Sequence, residues 1–264
     1  MIVRKTPDEI EKIAAAGQVL ARTLTMLKGK ARAGVTTGEL DEAAERFIRS
    51  QGGEPAFLGY RGFPGSICAS PNSMVVHGIP GRYALRRGDI LSIDVGVILD
   101  GWVADAAITV PVGNVTPVAK RLLTTTRESL FAGIEQCRPG NQLGDVSYAI
   151  QQRVEADGFA VIRALVGHGI GRDMHEEPQI PNFGKPGSGP TLHEGMVLAI
   201  EPMVNVGTPP IRVGDDNWSV YSQDGSLAAH FEHTVAITAE GPRIMTPWHL
   251  ADAEKSAPAP AGAA

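Results

Sequence analysis

The chain has 264 residues, which at roughly 150 residues per domain corresponds to one large domain or two small ones. Hydrophobic residues make up 43% and charged residues 20%, and 24 Lys and Arg against 29 Asp and Glu leave a net charge of −5. This composition excludes a disordered chain, and the acidic balance gives no support to direct nucleic-acid recognition.

The sequence also bears on the compartment. No apolar stretch reaches the ~18 residues that a membrane span needs, because aspartates interrupt the most hydrophobic region. The first nine residues contain no apolar segment of the length of a secretion signal and lead directly into a charged predicted helix, so no secretion signal is expected. The two cysteines, Cys68 and Cys137, imply no disulfide framework. We therefore expect a cytoplasmic protein that binds no membrane, and we expect it to be a monomer.

Amphipathic helices are predicted at four places in the chain. The first has a capping residue, a proline at the first helical position and a glutamate three residues after the cap (Thr6, Pro7, Glu9). Apolar residues follow each start at spacings of three and four, which is the period of a helix. The predicted helices begin at Thr6, Thr36, Thr116 and about Asp145, and the second and fourth end at Gly52 and Gly158.

Residues around the second and fourth helices match at a constant offset of 106 positions. The alternative is chance similarity between two amphipathic helices with glycine ends. An internal duplication explains the matches better and predicts one domain, residues 1–250, with similar halves of about 1–110 and 111–250. Residues 251–264 are rich in Ala and Pro and are expected to form a disordered tail. The matching positions are Arg32, Gly34, Gly38, Glu39, Leu40, Ala43 and Gly52 with Arg138, Gly140, Gly144, Asp145, Val146, Ala149 and Gly158.

Strands are predicted over residues 90–99, 102–110, 196–200 and 231–237. Asp100-Gly101 joins the first two as a two-residue hairpin turn. This register pairs residue 96 with residue 105 and makes Asp94 and Asp105 diagonal neighbours on one face. Buried neighbouring carboxylates repel, so they need a shared proton, a basic partner or a metal cation; a solvated sheet edge is the alternative.

Three further residues favour the metal. Glu201 and Glu232 interrupt apolar runs, and His168 is flanked by glycines that allow backbone or a ligand to approach closely. Together with Asp94 and Asp105 they offer oxygen and imidazole donors, which suit one or two divalent first-row metals. Two such metals a few Å apart activate water and stabilise a tetrahedral intermediate, which is the chemistry of hydrolysis.

Two more histidines lie near these segments. His77 and His175 are predicted to reach the site from loops, where an imidazole can donate to a scissile amide or its leaving nitrogen. The alternative is that both are surface histidines. His233 follows Glu232 on a predicted strand and therefore points to the opposite face. An ordinary structural role is predicted for His193, His230, His233 and His249.

From about Thr6 to Pro247 the chain resembles the type I methionine aminopeptidases of the short bacterial form. The resemblance rests on many motifs in the same order and at fitting spacings. They are Gly59-Tyr60-Arg-Gly-Phe63-Pro64, Val76-His77-Gly-Ile-Pro80, Ser92-Ile-Asp94-Val-Gly, Asp100-Gly-Trp-Val-Ala-Asp105, Gly167-His168-Gly-Ile-Gly171, Met174-His175-Glu-Glu-Pro178, Ile200-Glu201-Pro-Met203 and Phe231-Glu232-His-Thr234.

The resemblance implies a mixed α/β (α+β) pita-bread fold, with two pseudo-symmetric halves around a curved antiparallel sheet. It implies a dimetal enzyme that removes the initiator methionine from nascent polypeptides when the second residue is small, using Co, Mn, Fe(II) or Zn. The implied metal ligands are Asp94 on one ion, Asp105 and Glu232 bridging both, and His168 and Glu201 on the other. The implied substrate contacts are His77 and His175, with Glu201 as the base, and the implied methionine pocket is Tyr60, Phe63, Cys68, Met174 and Trp218.

Two other functions are alternatives. An Xaa-Pro aminopeptidase or prolidase of the same fold is disfavoured because such enzymes usually carry an extra N-terminal domain, and the first predicted helix begins at Thr6. A catalytically silent binding module is disfavoured because all five candidate ligands are present. Docking at the ribosome is one possible function of the basic cluster Lys28, Lys30 and Arg32. The favoured interpretation of the cluster is a solvated helix end.

Overall fold

The structure, a computed structural model, describes residues 1–250; the predicted tail of residues 251–264 lies outside the described residues. Helices form at each of the predicted places. They are α1 (Pro7–Lys30), α2 (Thr37–Ser50), α3 (Pro117–Glu135) and α4 (Leu143–Ala156), with a 3-10 turn at Tyr60–Gly62. Within residues 1–250, no helix is long and apolar enough to cross a membrane.

The strands of the described residues pair antiparallel, in one long hairpin and several short ladders. The strands are β1 (Glu54–Pro55), β2 (Cys68–Pro71), β3 (Met74–Val76), β4 (Ile90–Leu99), β5 (Trp102–Pro111), β6 (Ala160–Val161), β7 (Val166–Gly169), β8 (Glu176–Pro181), β9 (Val197–Ile200), β10 (Met203–Asn205), β11 (Ile211–Val213), β12 (Val220–Ser222), β13 (Ala228–His230), β14 (His233–Thr238) and β15 (Gly241–Ile244).

Reciprocal side-chain caps fix three helix starts. At α1 the Glu9 N–H donates to Thr6 Oγ1 (3.3 Å), and the Thr6 N–H donates back to the Glu9 carboxylate (2.9 Å). Helix α4 begins at Leu143 rather than at about Asp145, because Asp145 is its third residue and accepts the Gln142 N–H at 2.8 Å. The predicted start was therefore two residues late.

Matched contacts occur at the starts of α2 and α4, while the predicted duplication stays a prediction. Gly34 and Gly140 precede α2 and α4, and both have a φ of 92°. The Gly34 N–H donates to Leu85 O (2.8 Å), and the Gly140 N–H donates to Leu192 O (3.0 Å). The two halves of the chain thus tie the start of a helix to a later segment in the same way.

The β4–β5 hairpin has the predicted register. Asp100 (φ 50°) and Gly101 (φ 73°) form the turn, because both central residues of such a turn need positive φ. Leu99 pairs with Trp102, and Gly96 pairs with Asp105, in one sheet with β1 and β2. The long hairpin therefore carries the two candidate aspartates at its centre.

A second sheet, in the order β15-β14-β9-β7-β8, lies against this hairpin. The Thr234 hydroxyl donates to Asp105 O (2.7 Å), and the Glu232 N–H donates to Ala107 O (2.9 Å). That bond to β5 draws residue 232 out of its own ladder, so β14 starts at His233 and not at the predicted Phe231. The other predicted strands agree with the structure to within one residue.

The core lies between the sheets and the helices. Leu20, Leu24 and Leu27, on one face of α1, are fully buried in the cluster that includes β4 and β5 side chains. Burying a side chain of this kind stabilises the fold by roughly 1.5–3 kcal/mol. The strands that carry the candidate site are therefore held from behind by a packed layer.

Candidate active site

The predicted aspartate pair forms at the centre of the hairpin. Asp94 pairs with Ala107 and Asp105 with Gly96, so the two carboxylates are diagonal neighbours on one face, as predicted. Burial raises the pKa of Asp94 from 3.8 to about 7, an increase that Asp105 partly offsets by a hydrogen bond. Burial also raises the pKa of Asp105 well above its usual range, and the nearby Asp94 charge raises it further.

The second sheet brings the other three candidate ligands to this pair. His168 lies on β7, and Glu201 and Glu232 lie just after β9 and just before β14. His168 Nε2 is 3.6 Å from a Glu201 oxygen and 3.9 Å from Asp105 Oδ2. Ligand atoms of Asp105, His168 and Glu232 lie within 4.8 Å of one another. Five residues spread over 139 positions of the sequence, from Asp94 to Glu232, therefore meet in one place.

These carboxylates lack a basic partner within residues 1–250, where the ion-pair partners of the group are histidines. Burial raises the pKa of Glu201 and of Glu232 well above the usual range, and neighbouring carboxylates raise both further. Buried oxygens of Asp94, Asp105 and Glu232 have no hydrogen-bond donor. A cation satisfies such oxygens and removes the repulsion, so the residues present fit a divalent metal.

The imidazole of His168 is oriented for the same purpose. Its Nδ1 lies 2.9 Å from the backbone oxygen of Gly169. Because a carbonyl only accepts, that contact assigns the proton to Nδ1 and leaves the Nε2 lone pair directed at the carboxylates. Burial lowers the pKa of His168, which favours the neutral form that binds metals.

The glycines beside His168 leave room for the backbone of neighbouring strands. A Cβ at Gly167 would lie 2.3 Å from Ala199 O, and one at Gly169 would lie 2.2 Å from Glu177 O. His168 itself lies on strand β7, between β8 and β9. The glycines therefore allow three strands to approach closely around the histidine.

Two further histidines lie over the acidic cluster, as the sequence predicted. His175 lies on the loop between β7 and β8, with its ring centroid 4.2 Å from that of His168. Its Nδ1 is 2.9 Å from the Tyr60 hydroxyl. Burial, together with a smaller contribution from the neighbouring His168, lowers the pKa of His175 to about 4. Burial also lowers the pKa of His77, so both rings are neutral at pH 7.

A cavity connects these histidines to the acids. Tyr60, Phe63, Cys68 and Trp218 line it together with the five candidate ligands, and the Phe63 and Trp218 rings meet edge to face at 5.1 Å. Met174 does not line this cavity; it is buried in the adjoining apolar cluster. Phe57 also lines the cavity, and it was not among the residues predicted from the sequence.

The sequence also missed His230. We predicted an ordinary structural role for it, but its Nε2 lies 3.8 Å from Glu201 Oε2 and 3.9 Å from Glu232 Oε2. Burial lowers its pKa to about 3. A signal was present, because residues two apart on an extended segment share a face, and His230 precedes Glu232 by two. His233 faces away, as predicted, with its Nδ1 3.0 Å from Thr246 Oγ1.

Sequence comparisons identify relatives over most of the chain. The sequence profile of metallopeptidase family M24 matches residues 11–239. The chain is 53% identical to the methionine aminopeptidase of Clostridium perfringens over 246 residues, which is 93% of this chain and 99% of the relative. It is 51% identical to methionine aminopeptidase 1 of Bacillus subtilis, again over 93% of this chain and 99% of the relative.

Solved structures agree with this result. The methionine aminopeptidase of Rickettsia prowazekii superposes with a TM-score of 0.92 at 44% identity, covering 93% of this chain and 100% of that one. A prolidase from Pyrococcus furiosus superposes with a TM-score of 0.74 at 23% identity, covering 92% and 65%, which is a likeness of fold alone. The predicted pita-bread fold is confirmed by these neighbours.

Proposed function

The chain belongs to metallopeptidase family M24, and from this premise we propose that it removes the N-terminal methionine of polypeptides. Relatives at about half identity over nearly the whole chain are methionine aminopeptidases, which favours this activity over that of a prolidase. The observation that carries the proposal is the group of four buried carboxylates and one imidazole, with unpartnered oxygens, at the end of a cavity with an apolar wall.

The proposal includes two divalent ions. Asp94 would hold one ion, Asp105 and Glu232 would bridge both, and His168 and Glu201 would complete the other. Carboxylates and imidazole are ligands for Mn, Fe(II), Co and Zn, and the ligand set does not discriminate between them. When bound, such ions polarise the peptide carbonyl and lower the pKa of water towards neutrality.

The side chains have separate tasks in peptide hydrolysis. Glu201 is the proposed base, because a carboxylate at the acidic cluster can take up a proton from the attacking water. The Nδ1 of His175 is in hydrogen-bond contact with the Tyr60 hydroxyl, so Nε2 is the ring nitrogen left to contact the substrate. His77 and His175 are neutral, so each can donate to the scissile amide or to the leaving nitrogen without adding charge to the site.

Recognition of methionine is proposed for the apolar wall of the cavity. Tyr60, Phe63, Cys68 and Trp218 line it, and aromatic edges such as the Phe63–Trp218 pair pack favourably against a thioether. Met174 would support this wall from the adjoining cluster. We also propose that the residue after methionine must be small.

A tripeptide assay tests the proposal. Enzyme stripped with a chelator is expected to cleave methionine from Met-Ala-Ser once Mn, Co or Fe(II) is added back, and to leave Ala-Pro peptides intact. Release of alanine from Ala-Pro peptides instead would identify a prolidase-like enzyme. No return of Met-Ala-Ser cleavage with any of the three metals would refute the proposal.

The proposed substrate indicates the compartment in which the protein acts. Initiator methionine occurs on nascent polypeptides, so we propose that the protein acts in the cytoplasm; its monomeric state stays a prediction.

The basic residues Lys28, Lys30 and Arg32 are exposed at the C-terminal end of α1. Cations there interact favourably with the helix dipole, which accounts for the cluster without a ribosome. Unchanged ribosome pelleting of a variant neutralised at these three positions is the expected result.

A further inference from the structure

The loop that carries His175 has no regular structure of its own. It consists of residues 170–175, between β7 and β8, and we call it the His175 loop. Loops of this kind are positioned by the scaffold around them. The stacking of His175 on His168 and its contact with Tyr60 therefore depend on what holds the loop at its base.

An ion pair with the N-terminal segment holds one side of that base. Lys5 Nζ lies 2.5 Å from Glu176 Oε2, and the two side chains are only 3% and 11% exposed. The other oxygen, Glu176 Oε1, accepts the N–H groups of Arg172 (2.9 Å) and Asp173 (3.4 Å). One carboxylate thus joins the first residues of the chain to the backbone of the His175 loop.

The hairpin holds the other side. The Val103 N–H donates to Gly171 O at 2.8 Å, and the Arg172 guanidinium stacks over the Trp102 ring at 4.1 Å. A Cβ at Gly171 would lie 2.5 Å from Lys5 Cε. The loop backbone is therefore packed directly between the ion pair and β5.

Stability alone does not explain why this ion pair is buried. Removing two charges from water costs much of what their attraction returns, and apolar replacements of buried pairs are often neutral or stabilising. What apolar side chains cannot supply is an acceptor for the N–H groups of Arg172 and Asp173. The charge on Lys5 holds Glu176 where it can accept both.

We propose that Lys5 and Glu176 are positioning residues, which hold the His175 loop so that His175 meets His168, Tyr60 and the substrate. The proposal rests on the proposed function, because it assigns these residues to the efficiency of that reaction. It predicts that the ion pair affects turnover but not the affinity of the metal centre, since the hydrogen bonds of the Glu176 carboxylate go to Lys5 and to the loop backbone rather than to a candidate ligand.

The test compares Lys5→Met, the double variant Lys5→Met/Glu176→Leu and the rescue variant Lys5→Arg. The matched control is Arg243→Met, which breaks the exposed pair of Arg243 with Glu11 of α1. Each purified protein is assayed on Met-Ala-Ser for kcat and KM. Metal affinity is measured by calorimetry, and exchange of the loop amides by hydrogen–deuterium exchange.

Lys5→Met is expected to lower kcat by about 100-fold, the scale of a misplaced catalytic group, with faster loop exchange and unchanged metal affinity. Lys5→Arg restores most of kcat, and Arg243→Met matches the wild type. The double variant recovers thermal stability but not kcat. Recovery of both, wild-type kcat in Lys5→Met, or an equal loss of metal affinity would overturn the proposal. A wild-type protein that fails to cleave Met-Ala-Ser would instead refute the proposed function.

Discussion

Replacing Asp94 with asparagine should stabilise the metal-free protein at neutral pH, and a bound divalent ion should remove much of that advantage over the wild type. The cause is the buried carboxylate group described above, in which burial opposes the charged form of each acid. Without a cation, Asp94 must either be protonated or, when charged, destabilise the folded protein. With a cation bound, the charged carboxylate of Asp94 is a ligand of that cation.

The size of the effect follows from the pKa of Asp94. Its increase from 3.8 to about 7 corresponds to about 4 kcal/mol at 1.36 kcal/mol per pH unit. Because the folded state holds this proton more tightly than the unfolded state, the wild-type protein loses that stability as the pH rises from about 4 to about 7. Asp94→Asn has no such proton, so its stability relative to the wild type rises by the same amount across this range.

Urea unfolding at pH 5 and pH 8, in EDTA and in Mn²⁺, measures the part of this change that develops above pH 5, about 2–3 kcal/mol at 1.36 kcal/mol per pH unit. Histidines with lowered pKa values oppose the trend in both proteins and cancel in the comparison. In Mn²⁺ at 100 times its Kd the wild type gains about 2.7 kcal/mol, which the variant lacks. The exposed substitution Asp215→Asn is the control. If Asp94→Asn is less stable than the wild type at pH 8 in EDTA, the reasoning about uncompensated charge is wrong.

Three further substitutions test other parts of the site. Asp105→Asn should lower kcat/KM by orders of magnitude, because an amide supplies no bridging charge; wild-type turnover would remove this assignment. His175→Phe keeps the ring stacking and should lower kcat by about 10²–10⁴ with unchanged metal affinity, measured by calorimetry. Gly96→Ala adds a Cβ that would lie 2.8 Å from atoms of Met174 and Phe57. It should cost about 1–3 kcal/mol in urea unfolding and raise KM for Met-Ala-Ser, and normal values of both would contradict the packing described.

Features with local causes were predictable from the sequence. The caps at Thr6 and Thr36 need only residues within one helical turn, and the structure has both. The Asp100-Gly101 turn fixes the hairpin register by itself, and that register brings Asp94 and Asp105 together. These short-range rules predicted the positions of two of the five candidate ligands.

Features that depend on distant partners were harder to predict. His230 reaches the acids because its backbone N–H and O bond the Thr109 hydroxyl on β5, 121 positions away in sequence. The displacement of Glu232 from β14 has the same origin, a bond to Ala107 O. Met174 was expected to line the methionine pocket, and its position behind that pocket follows from packing against Gly96 and Phe57. Apart from the two-residue spacing of His230 and Glu232, these contacts have no signature in the local sequence.

The central claim is that Asp94, Asp105, His168, Glu201 and Glu232 bind a pair of divalent ions. Crystals grown with Mn²⁺ and measured on both sides of the manganese absorption edge test it most directly. The account predicts two anomalous peaks a few Å apart, each within coordination distance of three or more of these side chains. A single peak, or a pair of peaks bound by other residues, would contradict it.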